Sequence, residues 1–172
     1  MSARSTVLGI AGYSGSGKTT LVVGLIPELV GRGFSVSTVK HTHHNVSIDR
    51  RGDATRRLRD AGAVDVIVAG DERWAVLHEH RGAPEASLDA LVARMAPVDL
   101  VLVEGFKKHD HEKIEVHRPA LCKPLLCAED ARIVAVATDA PLAGIAIPRL
   151  DLNDVAAIAD FVVARCGLVR RR

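Results

Sequence analysis

The chain has 172 residues, of which 48% are hydrophobic, and its formal net charge at pH 7 is +2. This length suits one domain with a sizeable buried core, so we expect a single domain over residues 1–172. The small charge, the single Trp and the single Tyr argue against nucleic-acid binding. No apolar run approaches membrane-spanning length and the N-terminus leaves no room for a signal peptide. We therefore expect no membrane association and a cytoplasmic protein with mostly reduced cysteines.

A phosphate-binding loop is the first strong signal along the chain. Residues 12–19 read Gly-Tyr-Ser-Gly-Ser-Gly-Lys-Thr and fit the pattern G-x-x-x-x-G-K-[ST] at every specified position. They lie between a predicted strand, 7–11, and a predicted helix, 20–30, so backbone N–H groups and the helix N-terminus would converge on phosphate. Lys18 would reach the β- and γ-phosphates, and the Thr19 hydroxyl would ligate Mg²⁺. The nucleotide-binding candidates here are Gly12, Tyr13, Ser14, Gly15, Ser16, Gly17, Lys18, Thr19 and Thr20.

The second predicted strand, 35–39, is followed by a basic, histidine-rich stretch that reads Lys-His-Thr-His-His over residues 40–44. In an open α/β sheet the ligand crevice lies beyond the C-terminal ends of the strands, so Lys40 and His41 are candidates for contacting phosphate or a partner. A structural metal site and a solvated loop are the alternatives. In the loop that follows, Asp49 could hold Mg²⁺ directly or through water, or could belong to a charged surface loop.

The middle of the chain is predicted to form helices and strands, and it contains no candidate catalytic or ligand-binding residues. A short basic helix is expected over residues 55–61, and two strands over 65–70 and 74–79. The short link between these strands suits a hairpin, which could add antiparallel strands to the sheet. A helix is then expected over residues 85–96, with its apolar residues on one face.

The stretch 98–107 contains a continuous apolar run, 100–103, that is closed by Glu104, which is typical of a central parallel strand buried on both faces. In phosphate-loop proteins such a strand runs beside the loop strand and delivers a carboxylate to Mg²⁺ or its waters. Glu104 is our candidate for that role, with a solubilising strand end as the alternative. Lys18 and Glu104 are therefore the catalytic candidates, and Thr19, Asp49 and Glu104 are the candidates for holding Mg²⁺.

The last third of the chain predicts further strands. His109-Asp110-His111-Glu112 has metal-ligand residue types but suits an exposed turn equally well. The alternating run 113–118 predicts a half-exposed edge strand, 132–137 a buried strand, and 145–147 a last strand. Asp139 follows the buried strand, where a carboxylate can accept hydrogen bonds from guanine, although a turn-starting Asp is nearly as good an interpretation. Asp151 or Asn153 is expected to cap the final helix.

With these residues in view, the chain resembles the MobB family, GTP-binding proteins of molybdopterin-guanine dinucleotide biosynthesis. The resemblance spans nearly the whole chain. One departure follows Gly52, where the family usually reads Lys-Asp-[ST] and this chain reads Asp-Ala-Thr over residues 53–55. The stretches that carry the resemblance are 12–20, 40–44, Asp49 with Gly52, 61–63, 73–75, 103–107 and 151–154.

The resemblance implies a homodimer with a mostly parallel sheet flanked by helices, the α/β fold of a P-loop NTPase. It also implies binding of GTP and Mg²⁺, weak GTP hydrolysis, and association with the MobA-type guanylyltransferase that attaches GMP to molybdopterin. Molybdopterin or its guanine dinucleotide is a further candidate ligand. A small-molecule kinase and a nickel-type metallochaperone GTPase are the alternatives.

Overall fold

The computed structural model describes residues 5–42 and 53–170. It divides into two compact units, the first comprising Met1–His41 and Leu91–Arg172 and the second comprising Thr42–Ala90. The expectation of one domain over residues 1–172 stays a prediction.

Eight strands and four α-helices make up the regular structure of the described residues. Two single 3-10 turns, Pro119–Leu121 and Leu126–Ala128, add to them. The elements are β1 Thr6–Ala11, α1 Lys18–Gly31, β2 Val36–Lys40, α2 Ala54–Asp60, β3 Asp65–Ala69, β4 Trp74–His78, α3 Leu88–Val92, β5 Leu100–Glu104, β6 Lys113–His117, β7 Ile133–Thr138, β8 Arg149–Asp151 and α4 Val155–Arg165. None of these helices is long and apolar enough to cross a membrane.

The first unit contains a six-stranded sheet in the order β2-β5-β1-β6-β7-β8. Every neighbouring pair in it is parallel, so the C-terminal ends of all six strands lie at one edge. The four apolar residues of β5, 100–103, are fully buried between β2 and β1, which confirms the predicted central strand. The α/β fold with a mostly parallel sheet is likewise confirmed.

One face of this sheet packs against α1 and α4 and forms the hydrophobic core. The apolar residues of α1 recur at helical spacing, so a single stripe of the helix is buried against the strands. The core side chains that α1 and α4 contribute are Leu21, Val22, Leu25, Leu29, Ile158, Ala159 and Val162.

The prediction of an edge strand over residues 113–118 is wrong, because β6 is an interior strand between β1 and β7 and all five of its residues are buried. Two of its polar residues, Lys113 and Glu115, form hydrogen bonds inside the protein. The ammonium of Lys113 donates to the carbonyl oxygens of His109 and His111, at 2.9 and 3.1 Å, and to Asp130 at 3.2 Å. The carboxylate of Glu115 accepts the backbone N–H groups of residues 126 and 127 at 2.8 and 2.9 Å. The alternation of apolar and polar residues along β6 therefore gives the strand one apolar face and one polar face, and both are buried.

Three further boundary predictions differ from the structure. The last strand is Arg149–Asp151, and no strand forms over residues 145–147. The N-cap of α4 is Asp154, whose carboxylate accepts the N–H of Ala157 at 2.9 Å, so the sequence-based choice of Asp151 or Asn153 is wrong. The helix expected over residues 85–96 is limited to Leu88–Val92, and only Leu88 of its predicted apolar face is buried.

The second unit contains the predicted antiparallel hairpin of β3 and β4. It forms a two-stranded sheet of its own, so the expectation that it adds strands to the larger sheet is wrong. One face of the hairpin exposes large apolar side chains, with Ile67 66% exposed and Trp74 69% exposed. Paired residues of antiparallel strands share a face, which places Val76, the partner of Ile67, in the same patch.

Candidate functional site

The loop between β1 and α1 wraps tightly around the N-terminus of the helix. Gly12, Gly15 and Gly17 all have positive φ, at 145°, 79° and 99°, a conformation that favours glycine. A Cβ at Gly12 would lie 2.5 Å from the carbonyl oxygen of Val116, so no larger residue fits there. The loop therefore has the shape in which backbone N–H groups and a helix N-terminus can bind phosphate.

Two polar side chains of the loop support the same interpretation. Ser16 is 1% exposed, and its hydroxyl has no hydrogen-bond partner among the described residues, which fits a site for an oxygen-rich ligand. The ammonium of Lys18 donates to the carbonyl oxygen of Tyr13 at 2.8 Å and so lies over the loop. Burial lowers the pKa of Lys18, and Glu104 opposes that shift.

Thr19 and Glu104 meet directly, although 85 residues separate them in the sequence. The Thr19 hydroxyl is 2.9 Å from each carboxylate oxygen of Glu104. Hydroxyl and carboxylate oxygens are ligands that Mg²⁺ prefers, so the donor set fits the expected cation. The ammonium of Lys40 lies 3.1 Å from the Thr19 hydroxyl and 3.4 Å from Glu104. The structure thus brings three sequence-predicted residues together beside the loop.

His41 lies next to Glu104 and is fixed by close packing. Its backbone N–H donates to the carbonyl oxygen of Glu104 at 2.8 Å, and its ring centroid is 4.6 Å from that of Phe106. Gly105 has a φ of 102°, and a Cβ there would lie 2.7 Å from that of His41. The glycine after Glu104 therefore allows the two strand ends to approach each other closely.

Asp139, at the end of β7, has an arginine partner. Its carboxylate forms an ion pair with the guanidinium of Arg118, which follows β6 directly. The Arg118 Nε also donates to the carbonyl oxygen of Ser16 at 3.0 Å. Arg118 therefore connects Asp139 to the phosphate loop.

A cavity of about 340 Å³ opens beside Asp139 at the C-terminal ends of β7 and β8. It lies at the edge where parallel α/β sheets bind their ligands. Both polar and apolar groups line it, as suits a heterocyclic base. Its lining includes Thr138, Asp139, Pro141, Arg149, Asp151 and Asn153.

The second histidine cluster, residues 109–112, makes its contacts with other protein groups. The imidazole nitrogens Nδ1 of His109 and His111 lie 3.3 Å apart, Asp110 forms an ion pair with Arg132, and Glu112 forms one with Arg165. Within residues 5–42 and 53–170, no three His, Cys, Asp or Glu side chains converge as a metal site. The described residues therefore contain no set of metal ligands that would support the metallochaperone hypothesis.

Asp49, His43 and His44 lie outside the described residues, so their predicted roles stay predictions. Sequence reasoning missed Arg118 as a site residue, because its alternating segment indicated an exposed edge. An arginine placed directly after a strand is the signal that could have identified it, since strand ends face the ligand crevice of a parallel sheet.

Comparison with known proteins identifies a family and several relatives. The model of the family "MobB: Molybdopterin guanine dinucleotide synthesis protein B" matches residues 7–139. The molybdopterin-guanine dinucleotide biosynthesis adapter protein of Haemophilus influenzae is 48% identical over 91% of this chain and 86% of its own length. Its Escherichia coli counterpart is 43% identical over 91% of each chain. A crystal structure of molybdopterin-guanine biosynthesis protein B superposes with a TM-score of 0.74 at 28% identity, covering 92% of this chain and 99% of the other.

Proposed function

This chain belongs to the MobB family and is a molybdopterin-guanine dinucleotide biosynthesis adapter protein, and on that premise we propose that it binds GTP with Mg²⁺. The observation that carries the proposal is the contact between Thr19 and Glu104, 2.9 Å apart beside the phosphate loop. Two oxygen ligands from distant parts of the sequence meet where a nucleotide-bound cation would lie.

The charges around the loop favour a polyphosphate. Lys18 and Lys40 lie at the N-terminus of α1, and the ammonium of Lys107 is 5.3 Å from the ring centroid of Tyr13. Three ammonium groups and a helix N-terminus attract anions in the same place. Lys18 would contact the phosphates, while Thr19 and Glu104 would hold Mg²⁺, which would neutralise phosphate charge.

The cavity beside Asp139 supports guanine as the base. A carboxylate can accept hydrogen bonds from the N1–H and exocyclic amine of guanine, whereas adenine offers no such donor pair on that edge. Asp139 is 26% exposed at its side chain and lines the cavity, so it is accessible to a base.

Hydrolysis by this site would be slow, which suits an adapter. Fast phosphate-loop GTPases orient the attacking water with a glutamine, and this chain contains no glutamine. We infer that the nucleotide is held rather than rapidly turned over, and that the protein presents its GTP-bound form to a MobA-type guanylyltransferase in the cytoplasm. Molybdopterin and its guanine dinucleotide are candidate ligands of that complex.

The hairpin supports a homodimer. The hairpin exposes Ile67, Trp74 and Val76 on a single face, and an exposed apolar patch of this kind is typical of a protein interface. A second copy of the chain would cover that patch. Trp74→Glu should convert a dimer into a monomer in analytical ultracentrifugation, whereas Val169→Glu, at a residue 79% exposed outside the hairpin, should not. Equal sedimentation of both variants and the wild type would contradict this interface.

The nucleotide proposal is tested by Lys18→Ala in titration calorimetry. We expect this change to abolish measurable GTP binding without unfolding the protein, because the lysine supplies charge to the phosphates but few core contacts. Lys123→Ala removes an exposed lysine outside the loop and should bind GTP like the wild type. Undiminished binding by the Lys18 variant would overturn the site assignment.

A further inference from the structure

Arg118 spans the two halves of the proposed nucleotide site. Its Nε donates to the carbonyl oxygen of Ser16 at 3.0 Å, and its Nη1 donates to the carboxylate of Asp139. Ser16 belongs to the phosphate loop and Asp139 lines the cavity beside β8. One side chain therefore contacts both the phosphate-binding and the base-binding regions.

The guanidinium lies alongside the N-terminus of α1. A Cβ built on Gly17 would be 3.5 Å from the Nη2 atom of Arg118, and Gly17 is the N-cap of the helix. Oxygen anions are favoured at this end of a helix, so the Arg118 guanidinium lies where a bound phosphate group would be attracted. The Arg118 side chain is 36% exposed, which leaves it room to turn.

Asp139 competes with phosphate for this cation. A carboxylate paired with arginine offsets its charge and occupies its donors. Guanine bound to the same carboxylate would use both oxygens in a paired set of hydrogen bonds and so weaken the hold on Arg118. Adenine, without that donor pair, would leave the ion pair intact.

We propose that Arg118 is a specificity-determining residue that Asp139 restrains and that guanine releases to bind the nucleotide phosphates. The inference rests on the proposed GTP site and extends it, because base identity then determines how many cations contact the phosphates. GTP gains the Arg118 contact and ATP does not.

The first test uses inorganic tripolyphosphate, which has no base. Asp139→Asn removes the charge that restrains Arg118, so the variant should bind tripolyphosphate about tenfold more tightly than the wild type, as expected for one charge-assisted hydrogen bond to phosphate. The double variant Asp139→Asn with Arg118→Gln should lose that gain. Equal affinity of wild type and Asp139→Asn, or no binding by either, would overturn the proposal.

The second test compares GTP and ATP by calorimetry. Arg118→Gln should weaken GTP binding about tenfold and ATP binding less than about twofold, since only GTP uses the residue. The matched control is Arg165→Gln, which breaks an arginine–carboxylate pair with Glu112 and should change neither affinity. Thermal unfolding of each variant separates loss of binding from loss of folding.

The two tests separate this inference from the proposed function. If the folded wild type binds no GTP, both fail. If the wild type binds GTP in preference to ATP but Arg118→Gln weakens both nucleotides equally, the proposed function stands and the role of Arg118 does not.

Discussion

Two regions of the first unit carry clusters of polar side chains, and the surroundings of these side chains differ between the two regions. At the C-terminal edge, Thr19, Lys40 and Glu104 contact one another around a site that a ligand can enter. Inside β6, Lys113 and Glu115 are buried, and their hydrogen bonds are made entirely by protein groups. We therefore expect the polar residues at the edge to serve binding, and those in β6 to serve the fold. Substitutions in the two regions should separate binding from stability.

The largest effect is expected for Glu115→Ala. The change leaves the partly buried backbone N–H groups of residues 126 and 127 without their acceptor, which should lower the free energy of unfolding by about 4 kcal/mol. Urea denaturation measures it. Glu129→Ala, at an exposed residue of the same segment, should cost less than about 0.5 kcal/mol. A Glu115 variant as stable as the Glu129 variant would show that the buried polar face does not stabilise the fold.

The second effect is a pH dependence of the free energy of unfolding, caused by His111. Burial, together with nearby Lys113 and His109, lowers the pKa of His111 to about 4 from 6.5. The unfolded chain therefore binds the extra proton first as the pH falls. The contribution of His111 to the free energy of unfolding, up to about 3 kcal/mol, is fully present above about pH 6.5. It is lost progressively as the pH falls towards 4.

This dependence is measured by urea unfolding at several pH values. The variant His111→Asn removes the titrating group, so its free energy of unfolding should fall less steeply between pH 6.5 and 4 than that of the wild type. Identical slopes in the two proteins would contradict the assignment to His111.

The smallest of the three effects is expected for Gly9→Ala. A Cβ there would lie 2.5 Å from Nε2 of His111 and 2.8 Å from Cγ of Lys113, so the polar face must shift, at a cost of about 2 kcal/mol. Gly31→Ala is the matched control, because a Cβ at Gly31 meets nothing within 4 Å. Its stability should be unchanged or up to about 1 kcal/mol higher. If both variants had the same melting temperature, the tight packing of this face would be refuted.

The same contrast explains what could be predicted from the sequence. The phosphate loop is a local pattern and Glu104 ends a continuous apolar strand, so the sequence alone predicts their positions at the C-terminal ends of β1 and β5, while their roles in binding stay predictions. The burial of Glu115 depends on N–H groups that lie 11 and 12 residues further on, which alternation alone does not reveal. Arg118 was missed for a similar reason, since its partners lie 102 and 21 residues away.

The β3–β4 hairpin was predicted from its short link and β-rich strands, but its separation from the larger sheet was not. A hairpin pattern fixes the pairing of two strands with each other and carries no information on which sheet receives them. The shortened α3 has a comparable cause, because helical spacing persists beyond Val92 while the helix itself ends there.

The central claim is that the C-terminal edge of the sheet holds GTP with Mg²⁺, and titration of the wild type with GTP and ATP tests it most directly. With Mg²⁺ present, GTP should bind at least about tenfold more tightly than ATP, and removal of Mg²⁺ should weaken GTP binding by a similar factor. Absence of GTP binding, or equal affinities for the two nucleotides that are indifferent to Mg²⁺, would contradict the account.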